Sequence, residues 1–110
     1  MTTEEKANTI IVFIGDNGSP NQVAQSPYSR NKAKNTIYQG GVNVPMVLSG
    51  FGVSRTGVRE NALISTTDLF STIALMSGVS TFSRENSTSF YSLLKDENAS
   101  SREYAYTEIS

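Results

Sequence analysis

The residues best equipped for chemistry in this chain are Asp16 and Asn17, a carboxylate and an amide side by side between Gly15 and Gly18. Two adjacent oxygen donors suit a hard divalent cation such as Ca²⁺ or Mg²⁺, which takes carboxylate, amide and water oxygens. Asp-Asn-Gly is equally an ordinary turn signal, because Asp and Asn bond their own backbone and Gly accepts unusual angles. On the residues alone both readings stand. The sequence contains no Cys and no His. That excludes a thiol nucleophile, a disulfide framework and a Cys-based zinc site, and removes the commonest general base and transition-metal ligand. A metal held by this chain would be bound through oxygen.

Those side chains need an element to carry them. The run Ile10-Ile-Val-Phe-Ile14 is short, apolar and mostly β-branched, and reads as a strand buried on both faces. In open α/β sheets ligands gather beyond the carboxyl ends of the strands, where Asp16 and Asn17 fall. Residues 1–8 read as a tail or the end of a helix. Residues 19–33, with Pro20 and Pro27 and no countable period, read as a long loop of the kind that is functional or mobile. Gly40-Gly41 permits unusual backbone angles or a close backbone approach. Met46-Val47-Leu48 reads as the core of a second buried strand, with Pro45 at its first position, where a missing N–H is tolerated.

Residues 50–60 form a glycine-rich connection whose spacing matches no phosphate-binding loop. Residues 62–65 (Ala-Leu-Ile-Ser) read as a short strand or an approach to one. A helix follows, with Thr66, Thr67 or Asp68 as N-cap. Leu69, Ile73 and Met76 make its apolar stripe, widened by Phe70 and Ala74. Gly78 is placed to end it in the left-handed conformation. Residues 89–95 suggest a further short helix, and residues 102–110 alternate Tyr104 and Tyr106 in strand fashion.

At 110 residues the chain has room for one domain with a modest core. A formal net charge of -1 gives no electrostatic footprint for nucleic acid or an anionic membrane surface. No apolar run approaches the roughly 20 residues of a membrane span. The opening residues Met1 to Asn8 are acidic and polar where an export signal would be basic and then apolar, and localisation stays open. Asn17-Gly-Ser, Asn86-Ser-Thr and Asn98-Ala-Ser fit the glycosylation pattern, at a frequency chance explains in so Asn- and Ser-rich a sequence. Two or three strands with one firm helix leave sheet edges open, so the chain is expected to be a piece of a larger α/β domain or to find cover in a homo-oligomer.

Four blocks, in order, carry a resemblance. Thr9-Ile-Ile-Val-Phe-Ile-Gly-Asp-Asn-Gly18 is a strand running into Asp-Asn-Gly. Lys34-Asn-Thr-Ile-Tyr-Gln-Gly-Gly-Val-Asn-Val-Pro45 is similar to Lys-Gly-Thr-x-Tyr-Glu-Gly-Gly-x-x-Val-Pro. Asp68-Leu-Phe-Ser-Thr72 carries Asp-x-x-x-Thr into a helix. Residues 87–94, followed by 102–108, look like the stretch before a small C-terminal region. Together they span nearly the whole chain and resemble the middle-to-late part of a sulfatase catalytic domain, in the alkaline-phosphatase-like superfamily. The resemblance implies a partial α/β sandwich of mainly parallel strands with helices, incomplete at both ends. It implies that Asp16 and Asn17 are ligands of a divalent ion, usually Ca²⁺, and that Lys34 contacts the sulfate group of a sulfate ester substrate. A positive charge there would stabilise the equatorial oxygens as the S–O bond breaks.

Two positions depart from the family pattern: Gln39 stands where Glu is usual, and Asn35 where Gly is usual. The Gln keeps hydrogen bonding but loses a charge. The Asn is the milder change, because it tolerates a left-handed backbone better than most residues. The family's nucleophile, a formylglycine made from Cys or Ser within Cys/Ser-x-Pro-x-Arg, has no counterpart. Ser26-Pro-Tyr-Ser-Arg30 has its Pro one place early and follows the Asp-Asn pair instead of preceding it. Half a metal site binds weakly, since a hard cation takes about six or more oxygens. A sulfate-binding lysine without a nucleophile positions without reacting. The chain is therefore expected to be part of a sulfatase, inactive alone. Two alternatives remain open: a non-catalytic, self-associating α/β module, and a fragment of a phosphonate or phosphodiester hydrolase of the same superfamily.

Overall fold

The structure, a computed structural model, describes residues 1–80 and 84–109. In chain order its elements are α1 (Thr3–Ala7), β1 (Ile10–Ile14), α2 (Gln39–Val42), β2 (Met46–Gly50) and α3 (Asp68–Met76), with single 3₁₀ turns at Arg30–Lys32 and Tyr91–Leu94. Helix α1 is started by a reciprocal cap: the Glu5 amide donates to Thr2 Oγ1 at 3.1 Å, and the Thr2 amide donates to Glu5 Oε2 at 2.6 Å. Two orphan donors of the first turn are thereby satisfied. Among the described residues no helix is long and apolar enough to cross a membrane.

The sheet is a two-stranded β1–β2 pair, and it is antiparallel, not parallel as expected. At one end the Gly15 amide donates to the Pro45 carbonyl at 2.9 Å, and at the other the Phe51 amide donates to the Thr9 carbonyl at 2.9 Å. A parallel pair needs a crossover that carries the chain back along the sheet before the next strand begins. Residues 15–45 contain only a 3₁₀ turn and the four-residue α2. They fold back where they started, so β2 opens beside the end of β1. Pro45 lies just before β2 and has no N–H to return the bond from Gly15. That absence ends the ladder without leaving a donor unpaired.

Burial also differs from expectation. In β1 the residues alternate, with Ile11 54% and Phe13 64% exposed, and in β2 Val47 is 58% exposed. A strand is buried on both faces only where layers cover both. The register set by the end bonds puts Phe13 opposite Val47 on an open face. The strands expected at residues 62–65 and at 102–110 do not form, and Ser110 lies outside the described residues. Tyr104 and Tyr106 are 77% and 78% exposed, since alternation without a neighbouring edge to bond leaves an extended chain.

Two compact units are formed, one from Met1–Ile10 and Ser49–Ala105, the other from Ile11–Leu48 and Tyr106–Ser110. In the first, α3 begins and ends where the sequence places it, and Gly78 follows it at φ +88°. Its inward face is not the apolar stripe. Asp68, Ser71 and Thr72 are buried with Met76, while Phe70 and Ile73 are 54% and 46% exposed. Polar groups can face inward because each is bonded. Thr72 Oγ1 donates to the Asp68 carbonyl at 2.7 Å and accepts from the Phe90 amide at 3.0 Å. Ser71 Oγ donates to the Ser87 carbonyl, and Ser87 Oγ accepts from the Ser71 amide. Phe90 and Leu93, from the region expected to be a short helix, supply the apolar part of this core.

Candidate functional site

The second unit carries all three residues singled out for chemistry. Beyond the last β1–β2 bond the chain bends through Asp16 and Asn17, both exposed. Asn17 Nδ2 donates to Asp16 Oδ2 at 2.7 Å, so the two side chains lie against each other with the amide nitrogen toward the carboxylate. Neither the second Asp16 oxygen nor Asn17 Oδ1 has a hydrogen-bond partner among the described residues.

Two backbone bonds then tie the following loop to this turn. The Gly18 amide donates to the Gly41 carbonyl at 3.0 Å, and the Lys34 amide donates to the Ser19 carbonyl at 3.0 Å. The loop is anchored by Ala33, which is fully buried, and closed by Thr36 Oγ1 donating to the Ala33 carbonyl at 2.7 Å. Asn35 adopts φ +67°, the left-handed region that Asn tolerates and most other residues resist. Lys34 is half-buried between them. The described ion pairs are Arg55 with Glu60 and Arg102 with Asp68, so the Lys34 ammonium has no acidic partner among the described residues. An ammonium on a half-buried lysine without a counter-charge among the described residues is free to meet an incoming anion. Nearby, Lys32 is occupied differently: its ammonium lies 4.5 Å from the centre of the Tyr38 ring.

The donor set at Asp16 and Asn17 is hard oxygen, which fits Ca²⁺ or Mg²⁺. It is also small. Among the described residues no three or more His, Cys, Asp or Glu side chains come together to hold a metal. A cation bound here would complete its shell from water, backbone carbonyls or a further polypeptide segment. Gln39, at the start of α2, is exposed.

Sequence reasoning missed a second polar centre, in the other unit. Asp68 entered as one of three possible caps and as the first residue of the Asp-x-x-x-Thr block, with no partner assigned. Its carboxylate is 1% exposed and accepts from the Ser65 amide at 2.7 Å, the Thr88 amide at 2.8 Å and Arg102 Nε at 2.8 Å, with Arg102 Nη2 bonded to its other oxygen. Burial by itself pushes the carboxyl up, but the Arg102 fork and the two amides outweigh it and hold Asp68 below the usual aspartate value. The same pairing raises Arg102. The Asp-x-x-x-Thr spacing was a usable signal, because residues four apart share a helix face. Nothing local marked Arg102 or Thr88, which lie far along the chain. An open groove in this unit is lined by Thr67, Phe70, Arg84, Glu85, Asn86 and Ser87, and holds none of the expected site residues.

Comparison with curated proteins gives no match. The profile of the sulfatase family, in contrast, matches residues 2–79, well over half of the chain, and that span contains the Asp16–Asn17 turn, the Lys34 loop and α3. The chain belongs to the sulfatase family.

Proposed function

We propose that this chain supplies part of a sulfuric ester hydrolase site. In this reading Asp16 and Asn17 are two ligands of a divalent cation, with Ca²⁺ the first candidate, and Lys34 contacts the sulfate group of the substrate. Family membership supports the reaction class. The observation that supports the residue roles is the 3.0 Å bond from the Lys34 amide to the Ser19 carbonyl, on a half-buried lysine whose ammonium has no acidic partner among the described residues. It ties Lys34 to the residue two places after Asn17.

The chemistry asked of each group follows from its charge. A sulfate ester develops negative charge on its oxygens as the ester S–O bond lengthens, and a fixed ammonium opposes that charge without having to reorganise. A divalent cation held by Asp16 and Asn17 would supply further positive charge to the same group. Asp16 and Asn17 contribute one carboxylate and one amide oxygen from neighbouring side chains, which the 2.7 Å bond from Asn17 Nδ2 to Asp16 Oδ2 holds against each other. No Cys/Ser-x-Pro-x-Arg nucleophile segment occurs in this sequence. The chain alone is therefore expected to bind and orient, but not to turn over.

The test has two arms on the full chain. An aryl sulfate assay with Ca²⁺ is expected to give no turnover, and steady hydrolysis lost on Lys34→Gln would mean that the chain carries its own nucleophile. Titration of the ¹⁵N-labelled chain with inorganic sulfate is expected to shift the amides around Lys34. No response there would reject the lysine's role. A second reading, self-association as a non-catalytic module, is favoured by the open β1–β2 face carrying Ile11, Phe13 and Val47.

A further inference from the structure

We propose that Gly18, Gly40 and Gly41 are positioning residues, whose lack of side chains lets the Lys34 loop close onto the Asp16–Asn17 turn. This rests on Lys34 being the sulfate contact. The glycines with positive φ are Gly50, Gly52, Gly57 and Gly78, so backbone freedom does not account for these three. Space does. A Cβ on Gly18 would overlap the carbonyl oxygen of Gly40 and lie 2.7 Å from Gly41 Cα and 2.8 Å from the Gly40 carbonyl carbon. A Cβ on Gly41 would overlap the Thr36 carbonyl oxygen and lie 2.7 Å from that of Ala33. A Cβ on Gly40 would overlap the Lys32 carbonyl oxygen and press on Tyr28 Cβ at 3.2 Å.

The atoms met are almost all backbone, which cannot swing aside as a long side chain can. The carbonyls of Lys32, Ala33 and Thr36 bracket Lys34 on both sides. The loop is therefore wrapped on Gly40–Gly41, Gly41 lies on Gly18, and the Gly18–Gly41 and Lys34–Ser19 bonds close the two ends of the contact. One methyl group at any of the three moves the lysine from the turn by roughly an ångström, the difference between an overlap and an ordinary carbon–oxygen contact. A misplacement of about 1 Å in a positioning group is enough for a large loss of function. The fold offers no substitute for the contact, because the loop has no long helix to hold it.

The experiment follows the ¹⁵N-labelled full chain and its Gly41→Ala variant by amide hydrogen exchange and by titration with inorganic sulfate. Exchange at the Lys34 and Gly18 amides is expected to quicken at least tenfold while α3 keeps its protection, and sulfate affinity is expected to fall at least fivefold. Should Gly41→Ala fail to fold, Thr36→Val carries the test, since it adds no bulk and removes only the 2.7 Å bond to the Ala33 carbonyl. An intermediate loss of both quantities is expected from it. The control Asn35→Gly, on an exposed position of the same loop, is expected to leave both unchanged. Faster exchange with undiminished sulfate affinity would overturn the positioning role, and so would unchanged exchange at Lys34 and Gly18. If the unsubstituted chain and Lys34→Gln respond to sulfate alike, the sulfate contact itself fails and the positioning role falls with it. The exchange data then report separately on loop closure.

Discussion

Lys34 differs from its neighbours by what it lacks. Lys32 lies over Tyr38, and Arg30 sits exposed on a 3₁₀ turn, whereas Lys34 is half-buried with no counter-charge among the described residues. Replacing it by Gln keeps a polar side chain of similar reach and removes only the charge. Sulfate binding to Lys34→Gln is expected to weaken about tenfold, or about 1.4 kcal/mol, measured by chemical-shift titration. Stability is expected to be unchanged, since the Lys34 side chain makes no ion pair among the described residues. At Asn35 the sign depends on the backbone. With φ +67°, Asn35→Ala is expected to cost about 1 kcal/mol, while Asn35→Gly, the residue usual in the family, is expected to be near neutral. Denaturant unfolding reads both.

At the scale of elements, α3 is held by polar groups turned inward, and its stability should respond to charge more than to apolar bulk. The Asp68–Arg102 pair has one partner fully buried and the other nearly so. Cutting Arg102 to Gln strands a buried carboxylate, at an expected cost of about 3 kcal/mol, seen as an earlier denaturation midpoint. Acid should act through the same carboxyl. Its native value lies below that of the unfolded chain, so the stabilisation is complete above about pH 4. It is lost as pH falls through the lower, native value. Thermal unfolding is expected to be flat from neutrality down to about pH 5 and to decline below pH 4. In Arg102→Gln the guanidinium no longer lowers the carboxyl, so acidification is expected to destabilise less through Asp68. Ile73→Ser, on the exposed side of the same helix, is expected to change little.

For the whole molecule the open apolar face is the dominant feature. Ile11, Phe13 and Val47 are each more than half exposed on one sheet, and β1 and β2 each leave one edge unpaired among the described residues. Such surfaces draw a second chain or a covering segment. The apparent mass by light scattering is expected to rise with concentration, and Phe13→Lys is expected to lower it at equal concentration. A mass that stays monomeric at all concentrations would count against self-association. The same face explains why the chain is at once a family member and sparsely packed. Among the described residues the buried apolar side chains are Ala33, Met76, Phe90 and Leu93.

From the amino acids alone came the first strand and the turn it ends in, the span of α3 with its glycine stop, the close backbone approach at Gly40–Gly41, and the family. Those features rest on local rules: β-branched runs, capping residues, glycine, and motifs written in consecutive positions. Strand direction, the inward face of α3 and the pairing of Asp68 with Arg102 were decided only in three dimensions. A short apolar run has no direction of its own, so the path of residues 15–45 chose antiparallel pairing. A helix with both an apolar and a hydroxyl-rich side can bury either. The choice fell to distant partners, Ser87, Thr88, Phe90 and Arg102, able to satisfy Asp68, Ser71 and Thr72. Hydrogen bonds across such separations leave no periodic trace in a sequence, because they depend on which groups meet and not on how far apart they are written.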